Sequence, residues 1–260
     1  MPNGSLGTLV LAVGLLATSV ARAETLVFQE GALLPGGGPY TGTQDTEIEA
    51  TYPTVAFGSK VSVRTDLAYF EAETQGLLRF DGIFGALPDR IPPGSTITSA
   101  VLTLEVFNSS NVPIGIISVY RMTTAWSESS TWDSLAGGVQ VGSETVAVAD
   151  DAHTTEQIAS TSFDVLPSLQ AWASGARNSG WVLLNDGTDG MEFWSSEYGT
   201  LAARPMLTVT FAPPETSPSV PALSRLGLAA LLAGLALVGA AALRNATRGR
   251  TGSRRPAAPR

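Results

Sequence analysis

Between residues 97 and 106 apolar and polar side chains alternate, with Ala100, Leu102, Leu104 and Val106 on one face and Ser99, Val101, Thr103 and Glu105 on the other. A period of two is the pattern of a strand with one buried face, because successive strand side chains point to opposite sides. The same reading predicts strands at 59–64, with Val61 and Val63 against Lys60, Ser62 and Arg64, at 75–81, with Leu78 and Phe80 inward, and at 206–211, with Leu207, Val209 and Phe211 inward. Shorter or weaker runs at 25–28, 116–121, 146–148, 161–164, 181–184 and 192–195 complete the set. Turn chemistry separates them: Pro92-Pro93-Gly94, residues 108–113, Gly137-Gly138, and Asn185-Asp186-Gly187 followed by Asp189-Gly190. Many short strands without intervening helices predict an all-β fold, an antiparallel β-sandwich. One short helix is expected from an Asp164 cap to Ser174, sharing Val165, Leu169 and Trp172 on one face and stopping at Gly175. Trp172 and Trp181 are assigned to the core.

The two ends break the pattern. Residues 6–20 form an apolar run ending in Ala21-Arg22-Ala23, the small-x-small pattern read by signal peptidase. Residues 1–23 are therefore expected to be a signal peptide, with Glu24 as the mature N-terminus. Residues 226–243 carry no charged or polar side chain, long enough at about 1.5 Å rise per residue to nearly cross a bilayer core of about 30 Å. A transmembrane helix is expected there. Arg244, Arg248, Arg250, Arg254, Arg255 and Arg260 follow it and would hold that end in the cytoplasm. Residues 212–221, with four prolines, read as a stiff linker.

Charge sharpens this division. All 23 acids lie between Glu24 and Glu215, and residues 24–224 hold only seven bases, a net charge of -16. Such a segment repels nucleic acid, so no nucleic-acid partner is expected. The chain has no Cys and one His, His153, which excludes disulfides, thiolate nucleophiles, Cys-bearing zinc sites and His-rich metal centres.

Val220-Pro221-Ala222-Leu223-Ser224, followed by Arg225-Leu226-Gly227, an apolar span and arginines, resembles the IPTL-CTERM class of bacterial C-terminal sorting signals, a relative of PEP-CTERM. The resemblance spans residues 220–260 and implies an exosortase-type membrane enzyme that cleaves near the short motif and releases or re-anchors the protein at the cell surface. The alternative is a permanent single-pass anchor with a cytoplasmic C-terminus.

The core carries a second resemblance. Residues 77–81 (Leu-Leu-Arg-Phe-Asp), 91–104 from Ile91-Pro92-Pro93-Gly94 onward, Trp126-Ser127-Glu128 with Thr131-Trp132-Asp133, Gly180-Trp181-Val182-Leu183-Leu184, Ser195-Ser196-Glu197-Tyr198 and Arg204-Pro205-Met206-Leu207 are similar to the DNRLRE-type module. The match runs in order over about residues 43–211 of a segment, 24–211, otherwise read as one β domain. It implies a jelly-roll-like sandwich of secreted and surface-attached bacterial proteins, some of which bind polysaccharides such as alginate.

Sugars are held by aromatic faces and planar polar groups, which selects the candidates. Trp126, Trp132, Trp194 and Tyr198 flank polar loops and could stack on a glycan or pin loops to the core. Arg79, alternating away from Leu78 and Phe80, and Arg64 could form a basic track for uronates with Lys60 or Arg121, or pair with acids such as Asp81 and Glu105. Asp186, Asp189 and Glu192 offer hard oxygen ligands for calcium, or turn caps. Three function classes follow: an exported non-catalytic module that binds polysaccharide, a structural matrix protein without a defined glycan, and a glycan-active enzyme, for which no carboxylate pair stands out. The first is the expectation, with polysaccharide, signal peptidase, a sorting enzyme and the membrane as partners and no catalytic residue.

Overall fold

The computed structural model describes residues 22–214 apart from 70–71, 108–113, 157 and 188. All but the last two residues of the expected signal peptide, the linker beyond Pro214 and the sorting segment lie outside the described residues. Among the described residues no helix is long and apolar enough to cross a membrane.

The described residues form eleven strands and one α-helix: β1 (Glu24–Gln29), β2 (Thr43–Glu49), β3 (Ser62–Tyr69), β4 (Ala72–Phe80), β5 (Thr96–Val106), β6 (Ile116–Arg121), β7 (Asp151–Thr154), β8 (Ala159–Asp164), α1 (Leu166–Ala173), β9 (Trp181–Asn185), β10 (Met191–Trp194) and β11 (Met206–Ala212). The main path runs β1-β11-β5-β10-β3-β4-β9-β6-β7, with β2 on β4 and β8 on β5. Every one of these ladders is antiparallel. β10 and β3 link one layer (β1, β11, β5, β8) to another (β2, β4, β9, β6, β7).

Register explains why the layers close on each other. Residues directly opposite across an antiparallel pair share a face. Leu26 faces Val209 and Phe28 faces Leu207, while Leu207 and Val209 in turn face Leu102 and Ala100, and Leu102 faces Phe163. In the other layer Leu78 faces Trp181 and Val119 faces Leu183. These side chains form one buried cluster, the core between the layers. The intervening positions Leu77 and Val182 point the other way and meet Ile48, Met122, Trp126, Leu135 and Val139 in a second cluster on the outer side of that layer. The segment between β6 and β7 thus covers part of one outer sheet face.

Four expectations differ in detail. Val63 is buried, but Val61 precedes β3 and is 51% exposed, because the chain turns there before pairing begins. Residues 146–148 form no strand, and Val148 is exposed; β7 begins at Asp151, where pairing with β6 starts. The pattern leaves β2 out altogether. The helix is capped by Val165 rather than Asp164, although the Asp164 carboxylate still accepts the Leu166 N–H at 2.9 Å. Its expected face is buried through Leu169 and Trp172, and Gly175 (φ 100°) supplies the left-handed stop.

Candidate functional site

Three segments remote in sequence are tied together beside β2: residues 50–61, 126–138 and 195–200. The Asp133 N–H donates to the Pro53 carbonyl at 2.9 Å. The Ser195 N–H donates to the Val61 carbonyl at 3.0 Å, and its hydroxyl to the Lys60 carbonyl at 2.7 Å. Gly58 admits Glu128 closely, since a Cβ there would lie 2.3 Å from the Glu128 Cβ. On this surface Tyr52 is 54% exposed, and its ring meets Phe57 edge-on at 6.4 Å. The Lys60 ammonium sits 5.2 Å over the Phe57 ring. An exposed ring on a braced loop is what stacking against a sugar's C–H face requires. Tyr52 was not among the sequence candidates; the only signal was an aromatic in an otherwise ordinary loop.

Beneath this surface β2 carries an unusual load. Its register with β4 turns Thr43, Asp45, Glu47 and Glu49 toward the side that holds Phe80, Leu78 and Gly76, and all four are buried. Glu47 is satisfied by the Lys60 ammonium and by the Arg64 N–H at 2.6 Å. Along the free edge of β2, the Thr43 N–H donates to Glu30 at 3.0 Å. Carboxylates covering an edge strand also discourage pairing with another chain. Burial, then Glu197, pushes the Asp45 carboxyl up to about 8, while the Ser196 N–H at 2.9 Å opposes the shift. Burial, then Glu197, also raises Glu128.

Glu49 is pushed up to about 7 by burial and by the neighbouring Glu47. A folded carboxyl that ionises above its unfolded value of 4.5 holds a proton that the unfolded chain releases. The stability this contributes is full below the unfolded value and is lost as pH rises through the folded one. Glu49→Gln is therefore expected to flatten the fall in thermal midpoint between about pH 5 and about pH 8. Midpoints measured across that range check it, and an unchanged slope would count against the burial of this carboxyl.

The sequence candidates are dispersed. Trp126 is buried, donates its indole N–H to the Ser179 carbonyl at 2.7 Å and lies under the Arg79 guanidinium at 4.9 Å. Arg79 grips Asp81 through two nitrogens at 2.7 and 2.9 Å and the Trp126 carbonyl at 2.8 Å. Arg64 pairs with Glu192 at 2.8 Å across the β3–β10 ladder, and Lys60 with Glu47, so the structure does not gather these bases into one track. Trp194 is stacked on both sides, by Phe107 at 3.6 Å and Tyr198 at 3.8 Å, which leaves its edges to solvent. Trp132 is half-buried against the second cluster, its ring lies close to Gly138, and its neighbour Asp133 makes the backbone contact to Pro53.

The proposed calcium ligands do not converge either. Asp186 accepts the Ile116 N–H at 2.7 Å, the Asp189 carbonyl accepts the Gly115 N–H at 3.1 Å, and Glu192 holds Arg64 and the Ser62 hydroxyl. Among the described residues no three acidic or histidine side chains already stand as a metal cluster.

No curated protein matches the chain. A family model does: carbohydrate-binding module family 96 aligns with residues 39–211, which takes in β2 through β11 and all three loop segments. The aromatic surface, the braced loops and that alignment agree, and the chain belongs to carbohydrate-binding module family 96.

Proposed function

We propose that this chain is an exported, non-catalytic module that binds polysaccharide through the surface formed by residues 50–61, 126–138 and 195–200. The observation that carries it is Tyr52, the exposed aromatic that these mutually bonded loops hold on the rim of a family 96 module. Trp132 and Tyr198 extend the same surface, and the buried acids below it rigidify the platform rather than face a cleft. A preformed platform binds more tightly than a mobile one because less ordering is needed on binding.

The apolar run before Glu24 and the span at 226–243 support export and display at the cell surface by a sorting enzyme that recognises residues 220–224. Pro213, Pro214, Pro218 and Pro221 would then space the module from its anchor.

The test is affinity electrophoresis of the purified chain through gels holding neutral and uronate polysaccharides in turn. Migration is expected to slow in at least one. Unretarded migration in all of them, with the chain folded, would favour a matrix protein, and turnover of a polysaccharide would favour an enzyme.

A further inference from the structure

β2 contains two buried oxygens, Thr43 Oγ1 and Asp45 Oδ1, that have no hydrogen-bond partner among the described residues. They lie two residues apart on the inward face of one strand, and Asp45 is 1% exposed. The other Asp45 oxygen accepts the Ser196 N–H at 2.9 Å, one residue from Glu197, and Glu197 is also the strongest charged neighbour of Asp45. Glu30, which accepts the Thr43 N–H, and Glu128, a further charged neighbour of Asp45, add negative charge at the strand edge. Among the described residues the nearby cations are engaged elsewhere, Lys60 with Glu47 and Arg79 with Asp81, and no ion pair reaches Asp45. A buried carboxylate oxygen without a partner is costly, and a run of carboxylates around it multiplies the cost.

Hard, all-oxygen groups of mixed carboxylate and hydroxyl type suit calcium, which accepts six to eight oxygens in a flexible geometry and takes carbonyls and water for the remainder. We propose that Thr43, Asp45 and Glu197 hold a calcium-class divalent cation that ties β2 to the 195–200 loop. Asp45 Oδ1 and Thr43 Oγ1 supply the fixed ligands. Glu197, exposed and bonded to the Ser196 hydroxyl at 3.1 Å, supplies the movable one. With two carboxylates as direct ligands the affinity falls in the range of extracellular modules, about 0.1 to 1 mM. The ion would fix the loop that carries Tyr198 and braces Lys60 and Val61, so it sets the order of the glycan surface without touching a glycan.

The experiment is a calorimetric titration of the purified, chelator-treated full chain with calcium chloride, alongside thermal unfolding in calcium and in chelator. One ion per chain and a calcium-dependent rise in midpoint are expected, with affinity reduced about tenfold or more in Asp45→Asn and in Glu197→Gln. The second variant alters an exposed side chain and carries the test if the first does not fold. Asp186→Asn, at the other acidic turn, is expected to bind calcium as the unaltered chain does. Absence of calcium binding, full affinity in both β2-site variants, or loss confined to Asp186→Asn would each overturn the assignment. No polysaccharide enters this titration, so its outcome is independent of the binding reading above.

Discussion

Trp181→Ala is expected to remove about 4 kcal/mol of folding stability, near the upper range for a single core truncation. Trp181 is fully buried on β9, where its ring meets Phe80 edge-on at 6.4 Å and Trp172 at 4.8 Å, so it joins a strand, its neighbour β4 and the helix α1. The indole N–H is shared between the Ser168 hydroxyl at 3.0 Å and the Asp150 carboxylate at 3.1 Å. Burial already raises the Asp150 carboxyl, and the indole is one of the groups that lower it. Alanine would open a large cavity and also strip a donor from a half-buried acid, two costs that add. Urea unfolding measures the loss as a shift in midpoint at constant slope. A loss below about 1 kcal/mol would mean that α1 is not packed on the sheet as described.

Gly180→Ala is expected to cost about 3 kcal/mol, from overpacking and from a left-handed backbone. Gly180 has φ 69°, and a Cβ there would lie 2.3 Å from the Leu78 carbonyl oxygen and 2.6 Å from the Arg79 Cβ. Neither backbone can retreat, because Leu78 pairs with Trp181 in the β4–β9 ladder and Gly180 accepts the Met122 N–H at 2.9 Å. The damage would reach the outer face through Ser179, whose carbonyl holds the Trp126 indole, and through Arg79, which packs on that indole. Thermal unfolding reads the loss directly, and an unchanged midpoint would contradict the close contact of these strands.

The contrast between what the chain's pattern predicts and what it forms follows from where the polar residues sit. β5 and β6 are legible because their inward positions are aliphatic, and both fall within a residue of the predicted spans. β2 escapes because its inward positions hold Thr43, Asp45, Glu47 and Glu49, which read as a wet segment. The acids do recur with a period of two around Ile48, but only the lysine and backbone donors that meet them in space make their burial tolerable. Residues 146–148 mislead in the opposite way. Three residues of fitting composition lie along β6 through single bonds, such as Val146 N–H to the Arg121 carbonyl, without forming a ladder.

The proposed binding surface is harder to read than the fold because side-chain type does not reveal which face is covered. Trp126 and Trp194 have the composition of stacking platforms, yet Arg79 and Trp126's own hydrogen bond claim the first, and Phe107 with Tyr198 cover the second. Arg64 finds Glu192 128 residues away, a pairing invisible to local reasoning. Tyr52 stays exposed because the loop that carries it is fixed by the backbone bond from Asp133 to Pro53 and packs its apolar contact into Phe57 instead.

Whether this module works through that surface is tested most directly by titrating the polysaccharide that retards it against the unaltered chain and against Tyr52→Ala. A ring more than half exposed contributes little to folding, so the variant's thermal midpoint should stay within about 2 °C of the original, consistent with a change under 0.5 kcal/mol. Affinity should fall about tenfold, the equivalent of about 1.4 kcal/mol of lost stacking. Equal affinity in the two proteins would contradict the placement of the glycan at the Tyr52 rim.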